Sequence, residues 1–347
     1  MIPGPLIVDI AGNHLASEDR ELLAHPLVGG VILFARNCPD AAAVAALSRE
    51  IHALRTPPLL ITIDQEGGRV QRLTAGVTRL PSPARLGAVY ERDAGAACRL
   101  ARGVGWLMAT ELRALDVDVS FSPVLDLGGR SRVIGDRAFH RDAEIVSELA
   151  LAWSRGMEAA GMRPVAKHFP GHGGVAGDSH VERPVDRRSY SELAVSDLMP
   201  FERLMLRGLA GLMLNHVVYP RVAPEPASLS RVWIHDILRG EFGFEGVAVA
   251  DDLSMAAVAA WGSAPSRVAA ALAAGCDLVL LCNDRTAVNA VIGAADILPL
   301  NPASALRRSR LTPIRDKPGP EMGLEYLQQV RRAVKHLENG DSFTLES

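Results

Sequence analysis

Eight short runs rich in Val, Ile and Leu recur along the chain, at residues 6–11, 28–34, 59–63, 117–125, 164–168, 211–216, 246–250 and 277–282. Longer stretches with helical spacing lie between them: Ser17 is read as the cap of the first, and others span 40–54, 93–115, 143–160, 191–207, 231–240 and 264–274. Several of the short runs are apolar at every position, so both of their faces must be covered, which is the mark of a parallel sheet flanked by helices. Eight strand–helix repeats predict an α/β chain folded as a single (β/α)8 TIM-type barrel. A doubly wound open sheet fits less well: no GxGxxG follows the first run and no GxxxxGK[ST] occurs anywhere.

The length of 347 residues fits either two average domains of about 150 residues or one barrel with extensions. The tail decides between them. Residues 298–320 are rich in Pro, Ser and Arg and read as a surface connection, after which Leu324, Leu327, Val330, Val334 and Leu337 form one helical stripe ended by Asn339-Gly340. The expected organisation is one catalytic domain over 1–347, with the barrel over about 6–296 and the connection and docking helix over about 297–340.

Composition removes other classes. Lys and Arg number 37 against 40 Asp and Glu, a net charge of −3, too small to draw nucleic acid or anionic lipid. An apolar content of 48% argues against a disordered chain. No secretory leader or apolar run long enough for a membrane span is read. The four cysteines (Cys38, Cys98, Cys276, Cys282) form no CxxC pair and suggest free thiols. A cytoplasmic, monomeric protein is expected, with neither nucleic acid nor membrane as partner, and no cofactor is called for. Trp106, Trp153, Trp233 and Trp261 fall on predicted helices or their edges and are expected in the core.

Polar residues gather where the strands end, the face on which barrel enzymes build their sites. The third run ends at Asp64, followed by Glu66, Arg69 and Arg72; the fourth at Asp126, followed by Arg137. The fifth gives Lys167 and His168, the sixth Asn215 and His216, the seventh Asp251 and Asp252, the eighth Asn283 and Asp284. Together they suggest a pocket for a hydroxyl-rich ligand. Successive strand residues face opposite ways, so one of Asp251 and Asp252 faces the mouth, and the other is expected to cap a helix starting near Leu253. The segment 167–180, KHFPGHGGVAGDSH, can fold over such a site. Asp178 could orient His180 and raise its pKa. On spacing alone an Asx-turn at Asp178 with His180 facing solvent is the simpler reading.

Three motifs change that balance. DQEGGRVQRL (64–73), KHFPGHGxxxxDSH (167–180) and ADDLSM (250–255) resemble the signatures of glycoside hydrolase family 3. GGVILFARN (29–37), FSPVLDL (121–127) and IGDRAF (134–139) fit in the same order. The resemblance covers about residues 5–290, and the short single-barrel form resembles the bacterial β-N-acetylglucosaminidases (β-hexosaminidases) of peptidoglycan recycling, whose substrate is a small carbohydrate or muropeptide. It implies a retaining mechanism with Asp251 as nucleophile and His180 as acid/base partnered by Asp178. It implies that Asp64, Arg72, Arg137, Lys167 and His168 hold the sugar. The implied activity is removal of non-reducing-end N-acetylglucosamine from cytosolic muropeptides carrying 1,6-anhydro-N-acetylmuramic acid. The chain departs at Ala250, where the family often has Ser or Thr, and at Asn215, where a small residue often precedes the histidine. Alternatives are a phosphorylase or β-glucosidase of the same family, a non-catalytic sugar binder, and a zinc hydrolase using His168, His172, Asp178 and His180. The last lacks the helical HExxH pattern and has no cysteine nearby.

Overall fold

The computed structural model describes residues 4–177, 183–313 and 323–339. The eight apolar runs form eight parallel strands: β1 (Leu6–Val8), β2 (Val28–Leu33), β3 (Leu60–Ile63), β4 (Val119–Ser120), β5 (Val165–Phe169), β6 (Gly211–Leu214), β7 (Val247–Ala250) and β8 (Leu278–Leu281). Their order in the sheet is β4-β3-β2-β1-β8-β7-β6-β5. A parallel bridge from Val124 to Lys167, with Leu125 N donating to Lys167 O at 2.6 Å, joins the two ends into a ring.

Two apolar cores explain why the strands carry no polar face. Ile7, Ile32, Val119, Val165, Val247, Val249, Leu278 and Leu280 fill one cluster, whereas their alternate neighbours Leu6, Val8, Ile61, Ala166, Ala248 and Val279 belong to a larger one. The first is the barrel interior and the second packs under the helices, as the period of two along a strand requires. Trp106, Trp153 and Trp233 are buried in the outer core, as expected, and Trp261 is half-buried. Two of the outer helices, Ala94–Arg113 and Ala143–Ala159, touch backbone to backbone. A Cβ on Gly156 would stand 2.0 Å from Arg102 O, so only glycine fits there. Asp40, Asp93 and Asp142 cap helices by accepting from backbone N–H groups at 2.8–2.9 Å.

Several sequence expectations need correction. The first helix, Ser17–Ala24, has Ala16 rather than Ser17 at its cap position, and Asp19 accepts from Ala16 N at 3.2 Å. The single helix expected over 191–207 is two, Tyr190–Ala194 and Leu198–Met205. Pro200 lacks an N–H and is tolerated only in a first turn, so a new helix must start close before it. The connection over 298–320 is not simply a surface segment: Pro302–Arg308 is a helix capped by Asn301, and Leu311 is fully buried within the interior cluster. Leu311 closes the barrel floor beneath Val165 and Gly211. The docking helix forms over Leu324–Asn339, with Val330, Val334 and Leu337 buried, Leu327 partly so, and Leu324 exposed. It is held on the outer helix Ala94–Arg113 by Tyr326 against Trp106 and by Arg331 paired with Glu111 at 2.7 Å. Among the described residues, no helix is long and apolar enough to cross a membrane.

Candidate active site

The alternation seen in the core settles which aspartate of the doublet faces inward. Val247 and Val249 point into the barrel, so Asp251 follows them and Asp252 does not. The side chain of Asp252 accepts from Ser254 N, Ser254 Oγ and Cys282 N at 2.8–3.0 Å. No helix begins at Leu253, contrary to expectation: Asp252 caps a turn, and the next helical stretch is Ala256–Trp261. The same parity carries Thr62 and Asp64 inward beyond Leu60, and Lys167 inward beyond Val165. At the end of β5 the register shifts between Lys167 and Phe169, and His168 also reaches the mouth, where it meets Arg137.

The residues expected to hold a sugar do come together. Lys167 Nζ bonds Asp64 Oδ1 at 2.7 Å and Glu66 Oε1 at 2.6 Å. Arg72 Nη2 donates to Asp64 Oδ2 at 3.1 Å. Arg137 grips Glu66 with two parallel bonds, Nε at 2.7 Å and Nη2 at 2.8 Å, the geometry in which a guanidinium and a carboxylate bond most strongly. Arg137 Nη2 also lies 3.3 Å from His168 Nε2, and His168 Nδ1 lies 2.6 Å from Asp126 Oδ2. Asp126 takes a further bond from His172 N at 2.6 Å. One connected network therefore runs from Arg72 through Asp64, Lys167, Glu66, Arg137 and His168 to Asp126.

Burial and neighbouring charge pull against each other at every carboxylate here. Desolvation disfavours ionisation of Asp64, but Lys167, Arg72 and Arg137 outweigh it and hold the acid below its ordinary range. Glu66 is lowered in the same way by Arg137 and Lys167, and Asp126 by His168 and His172. Burial disfavours the Lys167 ammonium, yet Asp64 and Glu66 raise its pKa. Burial likewise opposes the charge on Asp251, but His216, His168, the Asp252 N–H at 2.8 Å and Lys167 keep it ionised. Asp252 behaves oppositely: burial dominates and pushes it up to about 6. Two adjacent aspartates thus have environments that drive their pKa values apart.

Four residues in this arrangement were visible at strand ends but not singled out as site members. Glu66 is two residues past Asp64, a spacing that puts both on one face, and with only 1% of its side chain exposed it is saturated by Arg137 and Lys167. It positions those two cations rather than offering free oxygens. Asp126 sets His168, and the backbone N–H of His172 joins the same carboxylate. His216 lies between Ser228 Oγ at 2.7 Å and Asp252 O at 2.9 Å, beside Asp251. Asn215 has a scaffold contact: its Nδ2 donates to His168 O at 3.0 Å and Gly171 O at 3.2 Å, pinning the loop after β5. Ala250 is buried under the helices and brings no hydroxyl. Asp178 and His180 lie outside the described residues. Among those described, no group of three or more His, Cys, Asp and Glu could hold a metal ion.

A ring of parallel strands with ionised carboxylates, a lysine and arginines at its C-terminal rim is the architecture of a barrel enzyme for a hydroxyl-rich substrate. The chain belongs to glycoside hydrolase family 3: residues 6–308 match the family's N-terminal domain, described as "Glycosyl hydrolase family 3 N terminal domain". It is similar to a beta-hexosaminidase of Alkalilimnicola ehrlichii, 54% identical over 90% of this chain and 89% of that protein. A beta-hexosaminidase of Thiobacillus denitrificans is 48% identical over 98% of this chain and 94% of its own length. Among solved structures, NagZ from Neisseria gonorrhoeae in complex with N-trifluoroacetyl-D-glucosamine superposes with a TM-score of 0.91, at 42% identity, covering 97% of this chain and 98% of that one.

Proposed function

We propose that the protein is a retaining exo-β-N-acetylglucosaminidase that releases N-acetylglucosamine from the non-reducing end of cytoplasmic muropeptides during peptidoglycan recycling. The observation that carries this reading is Asp251. It is an inward-facing, ionised carboxylate at the end of β7, under the fields of His216, His168 and Lys167. Such a group suits attack on an anomeric carbon that gains positive charge. The similarity to beta-hexosaminidases and to a structure holding N-trifluoroacetyl-D-glucosamine supports an acetamido sugar in the first subsite.

In the first step an Asp251 oxygen forms a bond to the anomeric carbon as the glycosidic C–O bond breaks. Protonated His180 delivers its proton to the departing oxygen, and Asp178 stabilises the imidazolium before transfer. In the second step His180 takes a proton from water, the water oxygen bonds the anomeric carbon, and the bond to Asp251 breaks. Asp64 and Arg72 hold sugar hydroxyls, since Asp64 retains acceptor capacity beyond its two cations. Lys167, Arg137 and His168 complete the hydroxyl-binding wall. Gly177 and Arg183, which flank the DSH segment in sequence, both line the cleft beside the network, which supports a role for that segment in this site. The described side chains among these hang from barrel strands or their loops, which supports one catalytic domain over residues 1–347.

A panel of nitrophenyl glycosides tests the reading. Hydrolysis of the β-N-acetylglucosaminide without the β-glucoside is the expected result, and preference for the β-glucoside overturns it. Product analysis in phosphate buffer separates hydrolysis from phosphorolysis: free N-acetylglucosamine is expected, and the sugar 1-phosphate contradicts the hydrolytic step.

A further inference from the structure

The motif GGVILFARN, residues 29–37, supplies none of the side chains in the polar network of the rim. It forms β2 and a tight turn, Ala35–Asn37. Ile32 points into the barrel, and the half-buried Phe34 packs on the same interior cluster. Phe34 therefore stands at the mouth with Asp64, Lys167 and Asp251, the inward residues of β3, β5 and β7. An apolar ring among charged side chains calls for a reason.

The ring serves as a platform for two guanidiniums. Arg36 Cζ lies 4.8 Å from its centroid and Arg72 Cζ 5.8 Å, both within cation–π reach. The two arginines differ in how else they are held. Arg36 is tied from three sides: Nη1 donates to Asn283 Oδ1 at 2.9 Å, Nε donates to Ile10 O at 3.2 Å, and Nη2 pairs with Asp9. The Arg72 side chain makes one hydrogen bond among the described residues, Nη2 to Asp64 Oδ2 at 3.1 Å, and its Nε is buried without a partner. A bond at one corner leaves a planar guanidinium free to turn about it, and the face of Phe34 is what fixes the plane. The platform itself is rigid. Phe34 N donates to Asn37 Oδ1 at 2.8 Å, and Asn37 Nδ2 donates to Ile10 O at 3.1 Å and to Gly12 O at 2.6 Å. Next in the turn is Cys38, whose thiol burial pushes up to about 12 against the pull of the nearby Arg72 charge.

We propose that Phe34 is a positioning residue for Arg72: its ring holds the guanidinium in the plane from which the remaining N–H groups meet a sugar hydroxyl. The proposal rests on the glycosidase reading above and gives the turn after β2 a part in it. A donor set in place beforehand loses less freedom on binding than a mobile one. Loss of the ring therefore weakens the sugar contact in ground state and transition state alike, which is read in KM rather than kcat. Asp64 and Lys167 keep their places, because the 2.7 Å bond between them does not pass through Phe34.

The electron density of the ring separates this role from space filling. A series of phenylalanines at position 34, carrying progressively more ring fluorines, nearly keeps the shape and drains the quadrupole that attracts a cation. KM for nitrophenyl β-N-acetylglucosaminide should climb stepwise along that series with kcat unchanged. Phe34→Tyr should match the wild type, and Phe34→Leu should raise KM by about three- to tenfold. In an Arg72→Ala background, read by calorimetric titration of N-acetylglucosamine where turnover is too slow, the fluorinated series should be flat, because only partners in contact are coupled. A KM that does not follow fluorination overturns the proposal and leaves the ring a filler. A trend that persists in the Arg72→Ala background also overturns it and assigns the effect to Arg36 or to the sugar itself. If the wild type cleaves no N-acetylglucosaminide, the glycosidase reading itself fails. Titration of N-acetylglucosamine into the same series then judges Phe34 separately, equal binding throughout counting against it.

Discussion

The two ends of the barrel each hold carboxylates gripped by cations, and they do different things with them. At the floor, Asp277 is fully buried and receives Arg239 at 2.7 Å, Arg307 at 2.8 Å and Ala248 N at 2.9 Å. Arg307 comes from the helix Pro302–Arg308, so this network ties the chain's later part under the strands. Its acceptors are filled and its surroundings are protein. At the rim, Asp64 and Asp251 are also charged but only half-buried: Asp64 keeps 16% of its side chain exposed and Asp251 faces the mouth. The same chemistry thus serves cohesion where the network closes on itself, and binding where it is left one partner short. Closed networks are costly to break, whereas open ones hold oriented dipoles ready for a ligand.

Four substitutions sharpen or break this contrast. Asp251→Asn should reduce hydrolysis of nitrophenyl β-N-acetylglucosaminide by about 10³-fold or more while the protein stays folded, with an unchanged or slightly lower melting temperature at neutral pH, since despite burial His216, His168 and Lys167 favour the ionised form. Activity above a few per cent of wild type counts against the nucleophile role. His180→Ala should cost about 10²–10⁴ in rate on poor leaving groups and much less in the first step on nitrophenyl substrates. Equal losses on both would remove it as the acid.

Asp277→Ala should show the reverse pattern. Leaving Arg239 and Arg307 without their carboxylate should cost about 3–5 kcal/mol in urea unfolding, with kcat of the folded fraction unchanged. A catalytic defect at full stability would erase the distinction between floor and rim. The smallest effect is expected for Asp252→Asn. Its folded-state pKa of about 6 stands above the unfolded value of about 3.9, so the native state binds the extra proton. Stability from this group is full below about pH 4 and is lost as pH rises through about 6. The Asn variant should flatten that part of the stability–pH curve and melt higher than wild type at pH 7.5. An unchanged slope between pH 4 and 7 would refute the raised pKa.

Much of this was legible in the sequence because barrel geometry is periodic. Strand positions followed from doubly apolar runs, and the parity of Val247 and Val249 turns the Asp251–Asp252 doublet into one inward and one capping residue. Asp64, Arg72, Arg137, Lys167 and His168 meet as expected because the ends of parallel strands converge on one rim. Glu66 and Asp126 were harder to single out. Their importance lies in which neighbour they orient, and a bond between Glu66 and Arg137 spans 71 positions that no local spacing encodes. The helix at Pro302–Arg308 was hidden for a different reason: Asn301 and Pro302 signal a loop and a helix start equally well, and only contact with the floor chooses between them.

The floor also imposes an order of events on synthesis. β1 pairs in parallel with β8, Leu6 beside Val279, and Leu311 seals the space beneath. The first strand therefore waits for a partner roughly 270 residues behind it, which at about 5–20 residues per second of translation is about 15–55 s. Throughout that interval one edge of the growing sheet is unpaired, the condition under which strands recruit the wrong neighbour. β1 is only three residues long, which leaves little unpaired backbone to recruit a wrong partner while the ring is still open.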